Sequence, residues 1–323
     1  MAEPPQLPRA RSRREHALNS PPIAIAVDIG GTKIRAAAID ANGRMLASSR
    51  LPSDAVRGGV HVLTVIEDAI EAVFNGDIKR ELICGLGISS AGVIEPATGT
   101  VVGSADAILG WQGTAMGAHF KCRFGWPVVA DNDANCALLG EIWRGGHALS
   151  AKCNAVMITL GTGLGGAMMI EGKLVTGRHH LTGHFGIAKM WDADSGSLVK
   201  VEHLVSGTGL GNIYAQITGI KGSISGADVM QKHVVAADPQ ATRALTRWCE
   251  HLALQLHNLY WMIDPDLILV GGGMIDARAN WWGQLDVELA KMGVQIPLAP
   301  AALGNDAGVF GAAKRVFDKL DAA

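Results

Sequence analysis

Ile23-Ala24-Ile25-Ala26-Val27-Asp28-Ile29-Gly30-Gly31-Thr32-Lys33-Ile34-Arg35-Ala36-Ala37-Ala38-Ile39-Asp40 is an apolar run that reaches a carboxylate, bends through two glycines and returns as a second apolar run. The turn Ala41-Asn42-Gly43-Arg44 and the short run Met45-Leu46-Ala47-Ser48 follow, and Asn-Gly between apolar runs is a strong hairpin signal. Gly30-Gly31 is therefore expected to turn the chain between antiparallel strands. A dinucleotide-binding fold would instead send such a turn into a helix.

Working outward, residues 58–74 carry Val60, Leu63, Ile66, Ala69, Ile70 and Val73 at helical spacing. Residues 82–88 read as a buried strand, and Glu95-Pro96-Ala97-Thr98-Gly99 as a turn. The second half opens with a similar order: an apolar strand at 155–160, the bend Gly161-Thr162-Gly163-Leu164-Gly165-Gly166, a returning run at 167–170 and the turn Glu171-Gly172-Lys173. This weak echo suggests two related lobes with a cleft between them. Helices are expected over 202–215, 241–263 and 306–320, and the strand 267–270 enters the bend Gly271-Gly272-Gly273. Alternating strands and helices indicate an α/β architecture.

Between Trp126-Pro127-Val128-Val129 and the helix-like stretch 137–143 lies Ala130-Asp131-Asn132-Asp133-Ala134-Asn135-Cys136. Carboxylates and amides at a strand end, with a helix just beyond, are placed where a doubly wound sheet exposes reactive groups. Asp133 is the candidate general base. The plainer reading makes Asp131, Asn132 and Asp133 a turn plus a helix cap.

The composition narrows the function classes. The length of 323 residues suits two ordinary domains, and the 41 glycines fall in clusters that suggest tight loops near ligands. A net charge of −2 lacks the footprint of a nucleic-acid binder. The five cysteines form no Cys-x-x-Cys pair and read as reduced, mostly buried thiols of a cytoplasmic protein. No apolar stretch is long enough to span a bilayer. Residues 1–22 contain Arg9, Arg11, Arg13 and Arg14 without the apolar core of a signal peptide, so a disordered basic leader is expected there.

Three glycine bends after strands, at Gly30-Gly31-Thr32, Gly161-Thr162-Gly163 and Gly271-Gly272-Gly273, fit a nucleoside triphosphate, since glycine lets backbone amides approach phosphate oxygens. No Gly-x-x-x-x-Gly-Lys-Ser/Thr motif is present, which excludes a P-loop fold, and no capped helix follows residue 166, which argues against a dehydrogenase.

Val27-Asp28-Ile29-Gly30-Gly31-Thr32-Lys33, Asp131-Asn132-Asp133-Ala134-Asn135, Leu160-Gly161-Thr162-Gly163-Leu164-Gly165-Gly166 and Asp306-Ala307-Gly308-Val309-Phe310-Gly311-Ala312-Ala313 resemble, in this order, the ROK family of sugar kinases and repressors. The resemblance covers nearly all of residues 23–320. It implies a two-lobed actin-like ATPase fold with ribonuclease-H-like sheets, residues 23–134 plus 306–323 forming one lobe and 135–305 the other. ATP and sugar would meet between the lobes, usually in a homodimer. The family's repressors carry an N-terminal helix-turn-helix, for which residues 1–22 are too few, so the kinase reading prevails. By the same resemblance Asp133 would take the proton of a primary sugar hydroxyl, commonly on carbon 6, while Asn132 holds the sugar. Gly30, Gly31 and Thr32 would line the phosphates, Asp28 would orient hydrated Mg2+, Gly161, Thr162 and Gly163 would form a second phosphate loop, and Gly271 and Gly272 would flank the adenosine. Lys33 and Arg35 would either assist the phosphates or be solvated.

The stretch Thr176-Gly177-Arg178-His179-His180-Leu181-Thr182-Gly183-His184-Phe185-Gly186-Ile187 is similar to the Thr-Gly-x-x-x-x-Thr-Gly-Glu-Phe-Gly-His segment of bacterial N-acetylglucosamine kinases. A sugar-contacting Glu is replaced by His184, and a zinc-binding His by Ile187. The family's cysteine loop corresponds to residues 192–199, which hold no cysteine, so no structural zinc is expected. Glu202 matches the family's second sugar-binding Glu. His184 is read as a neutral sugar contact, against the plainer view that His179, His180, His184 and His203 are loop histidines with polar neighbours. The resulting expectation is an ATP-dependent kinase of an N-acylhexosamine, N-acetylmannosamine ahead of N-acetylglucosamine. Its alternatives are a glucokinase or other hexose kinase, and a sugar-sensing regulatory protein without turnover.

Overall fold

The structure is a computed structural model that describes residues 21–74, 78–103 and 107–322. The leader expected at 1–22 lies outside the described residues except for Pro21 and Pro22.

Two five-stranded sheets share one plan. The first is built from β1 (Ile23–Ile29), β2 (Lys33–Asp40), β3 (Met45–Pro52), β4 (Ile83–Ser90) and, after a hairpin of β5 (Val93–Glu95) and β6 (Thr100–Gly103), β7 (Val128–Asn132), in the order β3-β2-β1-β4-β7. The second uses β8 (Ala155–Leu160), β9 (Leu164–Ile170) and β10 (Lys173–Leu174) and then, past a hairpin of β11 (Lys189–Asp192) and β12 (Ser197–Lys200), β13 (Leu267–Gly271) and β14 (Leu298–Pro300), in the order β10-β9-β8-β13-β14. In each, the central strand pairs antiparallel with the next strand in sequence and parallel with a later one. Ile29 faces Ile34 across Gly30-Gly31, and Leu160 faces Leu164 across Gly161–Gly163. The echo in the sequence is thus a duplicated ribonuclease-H-like sheet, the two-lobed actin-like ATPase fold.

The helices are α1 (Gly59–Val73), α2 (Met116–Phe124), α3 (Asp133–Arg144), α4 (Glu202–Val205), α5 (Gly207–Thr218), α6 (Gly226–Ala236), α7 (Pro239–Ile263), α8 (Trp282–Lys291) and α9 (Ala307–Asp321). Strand β1 is buried on both faces and sorts its residues by size. Ile23, Ile25, Val27 and Ile29 meet Val62, Ile66 and Ile70 of α1, whereas Ala24 and Ala26 face Val309, Ala312 and Ala313 of α9. Small residues on that second face let α9 close on the sheet: a Cβ on Gly87 would overlap the carbonyl of Ala312. The same device joins α9 to α3, where a Cβ on Gly311 would overlap the backbone of Cys136 and one on Gly140 the carbonyl of Ala307. On its other side α3 packs Ala134, Leu138 and Leu139 against Ala155, Met157 and Leu269 of the second sheet.

The helix expected over 202–215 is two helices. Ser206 is extended at φ −122° and ψ 178°, its Oγ donates to the Glu202 carbonyl at 2.6 Å and accepts from the Gly209 amide at 3.1 Å, so it ends α4 and caps α5. Among the described residues no helix is long and apolar enough to cross a membrane.

Candidate active site

Parallel pairing sets the carboxyl ends of β1, β4 and β7 side by side. Asp28, Ser89 and Asp131 occupy one row across the three strands, with Ile29, Ser90 and Asn132 in the next. Ser89 Oγ donates to Asp28 Oδ1 at 2.5 Å. Asp131 is 1% exposed, and its carboxylate is engaged by Asn135 Nδ2 at 2.8 Å, the Asn132 amide at 2.8 Å and Arg315 Nη2 at 3.2 Å. Asn132 caps α3, accepting from the amides of Ala134 at 2.9 Å and Asn135 at 3.4 Å, while its Nδ2 donates to the Gly92 carbonyl at 2.9 Å. The capping reading is therefore correct for Asn132, whereas Asp131 is a buried strand residue that braces the start of α3 through Asn135. Asp133, at the first position of α3, is the member of the cluster left exposed, with one hydrogen bond from the Ala134 amide at 2.8 Å.

Asp133 opens on a cavity of about 320 Å³ that it lines together with Asp28 and Gly30. Thr159, the bend Gly271-Gly272-Gly273, Ala301, Gly304, Asn305 and Gly308 also line it. Gly272 has φ 83°, and a Cβ there would lie 2.5 Å from the Leu160 carbonyl, so this turn requires glycine. Gly308 serves close approach: a Cβ would come within 2.6 Å of the Asp28 carboxylate, which faces the first turn of α9.

The enclosure shapes both acids. The Asp28 carboxyl is pushed up to about 6 by burial first and by the charge of Asp133, against the lowering effects of Ser89, Arg35 and Lys33. Burial also raises Asp133, opposed by the Ala134 amide and the Asn132 side chain. Asp133 is reachable by water through the cavity, yet protein surrounds it on the remaining sides, and this partial loss of hydration disfavours its charged form.

Gly31, Thr32, Lys33, Asn132, Gly161, Thr162, Gly163, His184 and Glu202 are not among the residues lining this cavity. Gly31 packs against Ala107, and the Thr32 carbonyl accepts from the Ser53 amide at 3.1 Å. Lys33 Nζ donates to Asn305 Oδ1 at 3.3 Å, at the cavity's edge. Arg35 is ion-paired with Asp306, so of its two readings neither a free phosphate contact nor a solvated side chain describes it. Gly161 accepts from the Gly207 amide at 2.8 Å, which seats the second glycine bend at the start of α5.

Glu202 and His184 belong to a neighbouring group. A Cβ on Gly163 would lie 3.1 Å from Glu202 Oε2, and one on Gly186 would lie 3.1 Å from the Glu202 Cβ. Glu202 therefore stands between the second bend and the turn Phe185–Ile187, which His184 precedes. His184 Nδ1 is enclosed and has no hydrogen-bond partner among the described residues, and His180 Nδ1 is in the same condition. Residues 192–199 run from the end of β11 through the hairpin turn at 193–196 into β12, and the Asp192 carboxylate closes the turn by accepting from the amides of Asp194 and Ser195 at 3.2 Å each. The sequence assigns no role to Ser89, Thr159 or Asn305, and Gly308 enters it only within the stretch 306–313. A Ser-Ser pair ending an apolar strand was the available sign of the first, while the others depend on contacts across the fold.

The ROK family model matches residues 24–319. A beta-glucoside kinase of Klebsiella pneumoniae is 30% identical over 89% of this chain and 93% of its own. A Listeria monocytogenes protein assigned provisionally as an N-acetylmannosamine kinase superposes with a TM-score of 0.78 at 26% identity, over 92% of this chain and 99% of the other. A ROK glucokinase from Streptomyces griseus in complex with glucose and AMPPNP superposes with a TM-score of 0.73 at 26% identity, over 92% and 99%. With a family match that spans both sheets and the carboxylates between them, the chain belongs to the ROK family and is an ATP-dependent sugar kinase.

Proposed function

We propose that the protein transfers the γ-phosphoryl group of ATP to the 6-hydroxyl of an N-acylhexosamine, N-acetylmannosamine ahead of N-acetylglucosamine, with Asp133 as general base. The observation that carries this reading is the position of Asp133. It begins a helix, holds a single backbone hydrogen bond where its neighbours Asp131 and Asn132 are committed, and lines one cavity with the bend Gly271-Gly272-Gly273. As the sugar oxygen attacks the γ-phosphorus, Asp133 accepts the hydroxyl proton and the bond to the β-bridging oxygen breaks, releasing ADP. Its raised pKa suits this role, because a stronger base takes the proton more readily provided that it is ionised at the working pH.

In this reading residues 23–134 with 306–323 form one lobe and 135–305 the other. Gly31 and Thr32 from the first, and Thr162 and Gly163 from the second, present amides to the phosphates, Gly30 and Gly161 shape those loops with amides bonded to the Lys33 and Gly163 carbonyls at 3.0 Å each, and Gly271 and Gly272 flank the adenosine. Asn132, through the Nδ2 hydrogen that the Gly92 carbonyl leaves free, Glu202 and His184 hold the sugar. The donor set at Asp28 fits a hydrated divalent cation, since an enclosed carboxylate with a second carboxylate nearby carries an electrostatic cost that a cation relieves. Magnesium bound there supplies neutralisation of phosphate charge. The protein is placed in the cytoplasm, where ATP is available, as a homodimer.

The likeness to the Listeria protein and the stretch Thr176–Ile187 favour an amino sugar. The likeness to a glucokinase and a beta-glucoside kinase favours the alternative, a plain hexose or its glucoside. Coupled ADP release over N-acetylmannosamine, N-acetylglucosamine, glucose and a beta-glucoside decides between them. Asp133→Asn should lower kcat by about 10²–10⁴ on the best sugar, and a variant working at the parent's rate removes the base from the mechanism.

A further inference from the structure

Behind the base lies a buried carboxylate that the reaction as described does not use. Glu141 is on α3, about two turns beyond Asp133, and its side chain is 0% exposed. Its Oε1 accepts from the Leu303 amide at 2.7 Å and its Oε2 from the Ala302 amide at 3.0 Å. His147 Nε2 lies 2.8 Å from the same Oε2. Room for this arrangement comes from Gly145, where a Cβ would overlap Glu141 Oε2 and come within 2.6 Å of His147 Nε2. A carboxylate is held away from water at high cost unless donors match it, and here the donors are backbone amides of a segment with no helix or sheet of its own.

That segment is a wall of the cavity. Ala301, Gly304 and Asn305, on either side of the two bound amides, line it. The Ala301 amide donates to the Val270 carbonyl at 2.8 Å, and a Cβ on Gly271 would lie 3.3 Å from the Ala301 Cβ, so the segment backs the glycine bend after β13. Lys33 and Arg35 of β2 hold its far end through Asn305 and Asp306. Glu141 thus ties the helix that carries the base to the loop that shapes the other half of the same cavity.

We propose that Glu141, with His147 beside it, is a positioning residue for the nucleotide: it fixes residues 301–305 so that the wall next to Gly271-Gly272-Gly273 is formed before ATP arrives. The assignment of that wall to the nucleotide rests on the function proposed above. The Glu141→Gln variant keeps the shape but turns an amide NH2 toward a backbone N–H, so one donor faces another. Loss of a charge-assisted hydrogen bond at such a site corresponds to a rise of about tenfold in KM for ATP and in the Kd for AMPPNP measured by calorimetry. KM for the sugar should stay within about twofold, because the affected wall is on the nucleotide side. A variant with a lowered melting temperature but unchanged KM and Kd for the nucleotide, or one in which both KM values rise together, overturns the proposal.

Hydrogen exchange on the parent gives a readout that does not depend on the variant folding. The amides of Ala302 and Leu303 should exchange as slowly as those of β13, and exchange at the rate of an open loop overturns the proposal. Should the parent show no sugar-stimulated ADP release, the kinase reading fails, while AMPPNP binding and amide exchange still judge the role of Glu141.

Discussion

Asp28→Asn should stabilise the protein near neutral pH while removing activity. The Asp28 carboxyl is raised from 3.8 to about 6, chiefly by burial, so the folded chain holds its proton more tightly than the unfolded chain does. The sign follows from linkage: above the raised value the wild-type carboxylate is ionised in both states and less comfortable in the folded one, whereas below the ordinary value it is protonated in both and has no effect. A shift of about 2 units corresponds to about 3 kcal/mol as an upper figure. Over 323 residues, an unfolding entropy of about 2 cal/mol/K per residue turns this into a rise of about 4–5 °C in Tm. The amide keeps an oxygen for the Ser89 hydroxyl and carries no charge to desolvate. Calorimetry of parent and variant between about pH 4 and about pH 8 tests the argument, with the gap widest at the upper end and closing as pH falls below about 6. Because Asp28 and Asp133 interact, the closing reports the pair rather than a single acid. A variant no more stable than the parent at the upper end, or a gap independent of pH, refutes the claim that the carboxylate is strained in place.

The acid limb of kcat/KM should lie above the ordinary carboxylate range and disappear from the residual activity of Asp133→Asn, since burial raises Asp133 and protonation would silence it in the proposed role of base. His184→Ala should raise KM for the sugar by about 5–20-fold with KM for ATP unchanged; equal sugar KM values return His184 to the plain role of a loop residue. Gly311→Ala should destabilise the fold by about 2–4 kcal/mol in denaturant melts, because a methyl group there overlaps the Cys136 backbone; a shift under about 0.5 kcal/mol shows that the two helices separate readily.

The strands and their glycine bends were legible because each apolar run is closed by glycine within a few residues, so local pattern and local geometry agree. The hairpin at Asn42-Gly43 and the antiparallel return after Gly30-Gly31 are of this kind. The single helix expected over 202–215 was misread because Ser206 suits a helix interior by spacing and a cap by chemistry, and only the backbone at φ −122° decides. That Asp133 stands where a strand gives way to a helix was readable, but the commitment of Asp131 to Arg315 was not, since that partner is remote in sequence. The ion pair of Arg35 is hidden for the same reason, its partner Asp306 being 271 positions away. Ser89 joins Asp28 only through the parallel register of β1 and β4, which no local signal specifies.

The contact of α3 with α9 has a mechanical consequence. One helix is packed on the second sheet and the other on the first, and at Gly140 and Gly311 their main chains touch without side chains between them. A side chain at either position would push the two helices apart and, with them, the sheets they carry, and Asp133, at the start of one helix, and Asp28, against Gly308 of the other, would be displaced along with them.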